Sequence, residues 1–140
     1  MNLKVRDFMT SLILTAEVDT PVIDAARLMA AEDVGSLIVT NADVLAGMVT
    51  RKEIIAAQLL SEESYHSLTI EDIMTTPVVT IGPEADLGQI VALMNQAERR
   101  HIPVIEGNDI IGVVTATDVI RVLATMKMIA DGAPFAEEES

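Results

Sequence analysis

Gly112 Val113 Val114 Thr115 Ala116 Thr117 Asp118 reads as a buried strand running into a helix that opens with a hydroxyl and, three residues later, a carboxylate. Gly47 Met48 Val49 Thr50 Arg51 Lys52 Glu53 has the same layout 65 positions upstream (112 minus 47). One layout met twice predicts a duplicated chain, and a repeat must be found first because missing it misassigns the whole fold.

The offset holds without gaps when residues 5–58 are laid on 70–123. It pairs Asp7 Phe8 Met9 Thr10 with Asp72 Ile73 Met74 Thr75, Leu28 Met29 with Leu93 Met94, Val39 with Val104, and Val49 Thr50 with Val114 Thr115. In each copy a short β-rich run (Ile13 Leu14 Thr15; Val78 Val79 Thr80) precedes a helical pattern. Val22, Ala25, Ala26 and Met29 fall at i, i+3, i+4 and i+7, and Leu87, Ile90, Val91 and Met94 repeat that spacing, so each helix has one buried stripe. Two strands joined by a polar turn follow: Ser36–Thr40 with Val44–Val49, and Ile102–Ile105 with Ile110–Val114. A second helix closes each unit, with Ile54, Ile55, Gln58 and Leu59 in one and Val119, Ile120, Leu123 and Met126 in the other. The fold class is therefore α/β, two β-α-β-β-α units. Residues 1–62 hold the first repeat with its N-terminal segment, 63–69 a polar linker, 70–128 the second repeat and 129–140 an acidic tail expected to fray.

Composition narrows the partners. Of 140 residues half are hydrophobic but only 2% aromatic, so the core is aliphatic with eight Met, and few rings are left for stacking on bases. A net charge of -13, from 22 acidic and 9 basic residues, repels a phosphate backbone, which excludes nucleic acid as a partner. No apolar run approaches the ~18 residues of a membrane span, and Met1–Asp7 lacks the apolar core of a signal peptide. With no Cys, the expectation is a soluble cytoplasmic protein without disulfides, thiolate chemistry or Cys-bound zinc. The two His, His66 and His101, and the scattered carboxylates show no metal-ligand spacing, and neither a nucleophile elbow nor a phosphate loop with its Lys occurs. No catalytic residue and no required cofactor are therefore assigned.

The gapless repeat, the Asp-Phe/Ile-Met-Thr openings, the His101 Ile102 Pro103 Val104 segment and the two Gly-apolar-apolar-Thr endings resemble a tandem pair of CBS domains, a Bateman module. The resemblance runs from Val5 to about Met128. It implies a stand-alone pseudo-twofold module whose repeats leave two clefts between them, where adenosine-containing ligands such as AMP, ADP, ATP or S-adenosylmethionine bind. It also implies a regulatory rather than enzymatic role, and a homodimer formed through the helical faces.

The family's ribose and phosphate motif, Gly-apolar-apolar-Ser/Thr-x-x-Asp/Asn, matches Gly112, Thr115 and Asp118. A carboxylate one turn into a helix can accept both ribose hydroxyls, and first-turn N–H groups can receive a phosphate. The same spacing is equally a helix-capping box. In the first repeat Thr50 and Glu53 fit the capping box in its preferred form, and Glu53 departs from the family's Asp by one methylene, so Thr15, Ser36, Thr50 and Glu53 make a second, weaker site. Arg99 Arg100 His101 is a basic triplet in an acidic chain. By the resemblance Arg100 and His101 contact phosphate; as a plain helix C-terminus the same cations would complement the helix dipole. For the base the resemblance points to Thr76, Pro77, Val78, Thr80, Ile102 and Pro103, although both Pro are also accounted for as local strand-edge residues. A different function for the same fold is a protein-interaction module with degenerate clefts, docking an effector protein through its helical faces.

Overall fold

The structure, a computed structural model, describes residues 2–132. In chain order it holds α1 (Val5–Phe8), β1 (Thr15–Glu17), α2 (Val22–Glu32), β2 (Ser36–Asn41), β3 (Val44–Thr50), α3 (Arg51–Gln58), α4 (Glu62–Ser67), α5 (Ile70–Ile73), α6 (Leu87–Ala97), β4 (His101–Glu106), β5 (Asp109–Thr115) and α7 (Ala116–Ala130). These form two compact units: residues 12–79 make one, and residues 2–11 join residues 80–132 in the other. Among the described residues no helix is long and apolar enough to cross a membrane.

In the 12–79 unit the sheet order is β1-β2-β3, with β1 parallel to β2 and β2 antiparallel to β3. The β2–β3 hairpin turns through Ala42 and Asp43, with φ of 50° and 67°, a turn whose twist matches that of the strands. α2 buries Val22, Ala25 and Met29, the face its spacing predicts, and ends where Asp33 enters the left-handed region at φ 52°. Val34 N–H then donates to Met29 O at 3.1 Å, satisfying a carbonyl the helix leaves open. The buried face meets Leu37, Val39 and Val49 of the sheet, Ile54 and Ala57 of α3, and Ile70 of α5. Each fully buried aliphatic side chain contributes about 1.5–3 kcal/mol.

The other unit repeats the plan around Val5, Ile90, Ile102, Val104, Val114 and Val119. Its α6 ends in the same way at Glu98, φ 55°. Both hairpins shift register at the same place, Val39/Thr40 and Val104/Ile105, so the duplication extends to a bulge.

Four expectations are modified. The strand expected at Val78–Thr80 is reduced to a single parallel bridge between Ile81 and Val104. In the first repeat Val18 N–H donates to Thr40 O at 3.0 Å, and Glu17 accepts from the Thr40 hydroxyl and from Ala42 N–H. The matching residues, Gly82 and Pro83, have no side-chain acceptor and no N–H respectively. The stretch read as a polar linker folds as α4, capped by Ser61, whose hydroxyl accepts from Ser64 N–H at 3.2 Å, with Tyr65 packed on the core. The closing helices bury less than their pattern suggested. Ile54 and Val119 are buried, while Ile55 and Ile120 are exposed and Leu59 is 83% exposed.

The fourth difference concerns which unit the opening helix of each repeat packs with. α1, which the sequence attaches to the first repeat, packs with the second: Val5 is fully buried there and Thr10 bridges Val113. α5, at the start of the second repeat, packs with the first, where Ile70 is fully buried and Thr75 bridges Met48. The tail expected to fray lies largely outside the described residues, and α7 extends to Ala130.

Candidate functional site

β5 delivers Thr115 to the N-terminus of α7, where extended backbone (φ -114°, ψ 161°) makes it the N-cap. The Thr115 hydroxyl accepts from Asp118 N–H at 3.1 Å, and Thr115 N–H donates to Asp118 Oδ2 at 2.9 Å. The capping box is thus complete. Asp118 is only 4% exposed, and a carboxylate so buried needs further partners. It has two. The Thr10 hydroxyl lies 3.2 Å from each carboxylate oxygen, and Arg121 Nη1 reaches Oδ1 at 3.4 Å. The Arg121 side chain is 70% exposed, so this ion pair adds little stability, but it leaves a cation beside the carboxylate.

Around this centre, His101 opens β4 directly opposite Thr115 in the strand register and is half-buried, while Arg100 is exposed. Arg100 O accepts Ala116 N–H at 2.9 Å. Two of the N–H groups that the sequence offered to a phosphate, those of Ala116 and Asp118, are therefore already bonded. Ile102 is fully buried in the core, so only its backbone is available to a ligand; Pro103 is buried and Thr80 exposed.

Thr80, Arg100, His101, Ile102, Pro103, Thr115 and Asp118 all belong to the unit holding the second repeat. Thr76, Pro77 and Val78 belong to the unit holding the first, with Thr15, Ser36, Thr50 and Glu53. There Ser36 faces Thr50 in register, and Glu53 Oε1 accepts from Thr50 N–H at 2.7 Å and from the Thr50 hydroxyl at 2.8 Å. Here the carboxylate is used as a cap. Thr75, the counterpart of Thr10, donates to Met48 O at 3.3 Å, and the counterpart of Arg121 is Ala56. The asymmetry expected from charge alone thus extends to hydrogen bonding.

Sequence reasoning missed Thr10 and Arg121. Arg121 was within reach, since i+3 from Asp118 puts it on the same helix face. Thr10 carried only its place in the repeated Asp-x-Met-Thr opening. It is held by backbone hydrogen bonds to Val113, and the segment leading to it carries an ion-pair cluster in which Lys4 Nζ lies 2.8 Å from Glu84, and Arg6 lies 2.5 Å from Glu84 and 2.8 Å from Glu106. Hydrogen bonds from Lys4 and Arg6 hold the Glu84 carboxyl below its ordinary value. Each unit also has an apolar groove between its two long helices, about 420 Å³ beside Met29, Ile54 and Ile55 and about 300 Å³ beside Met94, Val119 and Ile120. Among the described residues no cluster of three or more His, Asp or Glu is arranged to hold a metal ion.

The CBS domain model matches residues 5–60 and 70–125. CBS domain-containing protein CBSX3, mitochondrial, of Arabidopsis thaliana is 33% identical over 108 residues, covering 74% of this chain and 52% of its own length, so the chain spans about half of that relative. CBS domain-containing protein YhcV of Bacillus subtilis is 29% identical over 115 residues, covering 82% and 81%. Among solved structures, the CBS domain pair of protein MJ0100, in complex with 5-methylthioadenosine and S-adenosyl-L-methionine, superposes with a TM-score of 0.79 at 22% identity, over 90% of this chain and 99% of that one, a likeness of fold. Two matched repeats that together span most of the residues, one built as β-α-β-β-α and the other on the same plan with its first strand reduced to a bridge, both with a bulge at the matching place, establish that this chain belongs to the CBS domain family.

Proposed function

We propose that this chain is a regulatory, non-catalytic module that binds an adenosine-containing ligand, AMP, ADP, ATP or S-adenosylmethionine, at the second repeat, with Asp118 accepting the ribose hydroxyls. The observation that carries the reading is the buried Asp118 carboxylate at a helix N-terminus with the Arg121 cation on it, while Arg100, whose carbonyl accepts Ala116 N–H, and His101, opposite Thr115 in register, adjoin the same helix start. The ligands of the MJ0100 domain pair are of this chemical class. In the first repeat Glu53 caps its helix and has Ala56 where Asp118 has Arg121, which supports one competent site. Isothermal titration of the protein with AMP, ATP and S-adenosylmethionine tests this. Saturable binding is expected, and Asp118→Ala should weaken it by roughly 10- to 100-fold, the loss of a hydrogen bond to a charged group. No heat with any of these compounds at millimolar concentration would refute the reading.

A second reading has its own support. Ile55 on α3, Leu59 at its C-cap, and Ile120 and Leu123 on α7 are exposed apolar residues, the kind of surface that marks an interaction site. On this reading the helical faces dock another protein chain, a second copy giving a homodimer or an effector protein. Native mass spectrometry separates the readings, because retained ligand and oligomeric mass are read from the same ion.

A further inference from the structure

We propose that Thr10 sets the affinity of the Asp118 site by competing with the ligand for the carboxylate, so that the strap formed by residues 4–10 and a ribose diol exclude one another. The inference rests on the reading of Asp118 as a diol acceptor. A carboxylate offers about four lone-pair positions. Thr115 N–H occupies one on Oδ2 and Arg121 approaches one on Oδ1. The Thr10 hydroxyl, with a single hydrogen, lies 3.2 Å from both oxygens and therefore straddles the pair. Two adjacent ribose hydroxyls that donate one to each oxygen need that same position. Thr10 is exposed and Asp118 is not, so Thr10 stands on the solvent side of the carboxylate.

The arrangement belongs to this site and is not a requirement of the fold. Thr75 occupies the matching position of the other unit and donates to Met48 O, leaving Glu53 untouched. Thr10 is also firmly placed. It exchanges two backbone hydrogen bonds with Val113, both 2.9 Å, Val5 is fully buried, and Lys4 and Arg6 pair with Glu84 and Glu106. A ligand that takes the carboxylate must turn the Thr10 hydroxyl away and so weakens what the strap gains from Asp118.

The test uses the full chain and AMP as probe. Thr10→Val keeps the β-branched shape and removes the hydroxyl. It should bind AMP about tenfold more tightly than the wild type, the equivalent of one modest hydrogen bond. With 2′-deoxy-AMP, which has one ribose hydroxyl and no need of both oxygens, the gain should be smaller. AMP should also speed hydrogen exchange at the strap amides of wild-type protein. Equal or weaker AMP binding by Thr10→Val, or an equal gain with both nucleotides, would overturn the proposal. The Thr10–Asp118 contact is tested without ligand: Asp118→Asn should speed exchange at strap amides, and unchanged exchange would remove the contact from the argument. If neither wild type nor Thr10→Val binds any adenosyl compound while Asp118→Asn loosens the strap, the diol reading of Asp118 fails and the competition proposal fails with it, whereas the strap's hold on Asp118 stands.

Discussion

Adding one methyl group at Gly112 should loosen the N-terminal strap, and the same change at Gly47 should be tolerated better. A Cβ at Gly112 would lie 2.9 Å from Thr10 O and 2.7 Å from Met9 Sδ, where ordinary contact begins at 3.4 Å. The carbonyl is the harder neighbour, because Thr10 O accepts Val113 N–H at 2.9 Å and cannot retreat without stretching that bond. The three atoms nearest a Cβ at Gly47 all belong to the Met74 side chain, its sulfur at 2.5 Å, Cγ at 2.8 Å and Cβ at 3.1 Å, and the two tightest of them can swing away because an unbranched thioether has other rotamers. Overpacking costs about 1–3 kcal/mol and a strained backbone hydrogen bond about 1 kcal/mol. Ala returns about 0.4–1 kcal/mol by restricting the unfolded chain. Gly112→Ala should therefore lose about 2 kcal/mol and Gly47→Ala about 1 kcal/mol or less. At a urea dependence of about 2 kcal/mol/M, the Gly112→Ala midpoint falls by about 1 M. Urea titration followed by circular dichroism gives the two values, and hydrogen exchange should localise the Gly112→Ala loss to the amides around Thr10 and Val113. A Gly112→Ala protein as stable as wild type, or less affected than Gly47→Ala, would refute the close approach on which the strap depends.

Thr115→Ala removes the hydroxyl that accepts Asp118 N–H and should cost about 1 kcal/mol by thermal denaturation. Thr50→Ala should cost less, since the Thr50 hydroxyl donates to Glu53, whose carboxylate keeps Thr50 N–H as a partner. The strap should also respond to acid. Hydrogen bonds from Lys4 and Arg6 lower the Glu84 carboxyl from its ordinary 4.5, so its folded-state value lies below the unfolded one. The contribution is then fully present above 4.5 and is lost as pH falls through the lowered value. Exchange protection of the strap amides should drop on acidification through that range, and Glu84→Gln should remove this step.

The duplication, the α2 and α6 stripes and both hairpins were legible because each is a local pattern of apolar residues at period 3.6 or 2. Gly82 and Pro83 also held the reason why the second repeat's first strand shrinks to a bridge, since a missing donor is visible in sequence. Which sheet α1 and α5 pack against was not legible. Val5 and Ile70 are equally apolar, and two segments matched at a constant offset look the same whether each joins its own repeat or the other. For the same reason Asp118 was found by its spacing from Gly112, while its partner Thr10, 108 residues away in the chain, was not. The difference between the two helix starts was legible as well, because a one-methylene change and a basic triplet are written in residue types.

The membership of residues 2–11 in the unit that contains residues 80–132 has a consequence for a chain made from its N-terminus onwards. Thr10 is synthesised 103 residues before Val113 (113 minus 10), a wait of about 5–20 s at typical rates of translation. Through that interval Val5 has no core to enter, while residues 12–79 already contain every segment of their own unit. The nascent chain can thus complete the unit of residues 12–79 first, and the other unit closes later, by a clasp between residues 2–11 and residues 80–132. Whatever binds residues 2–11 during synthesis, a chaperone or the ribosome surface, would govern when the Asp118 carboxylate acquires its Thr10 partner.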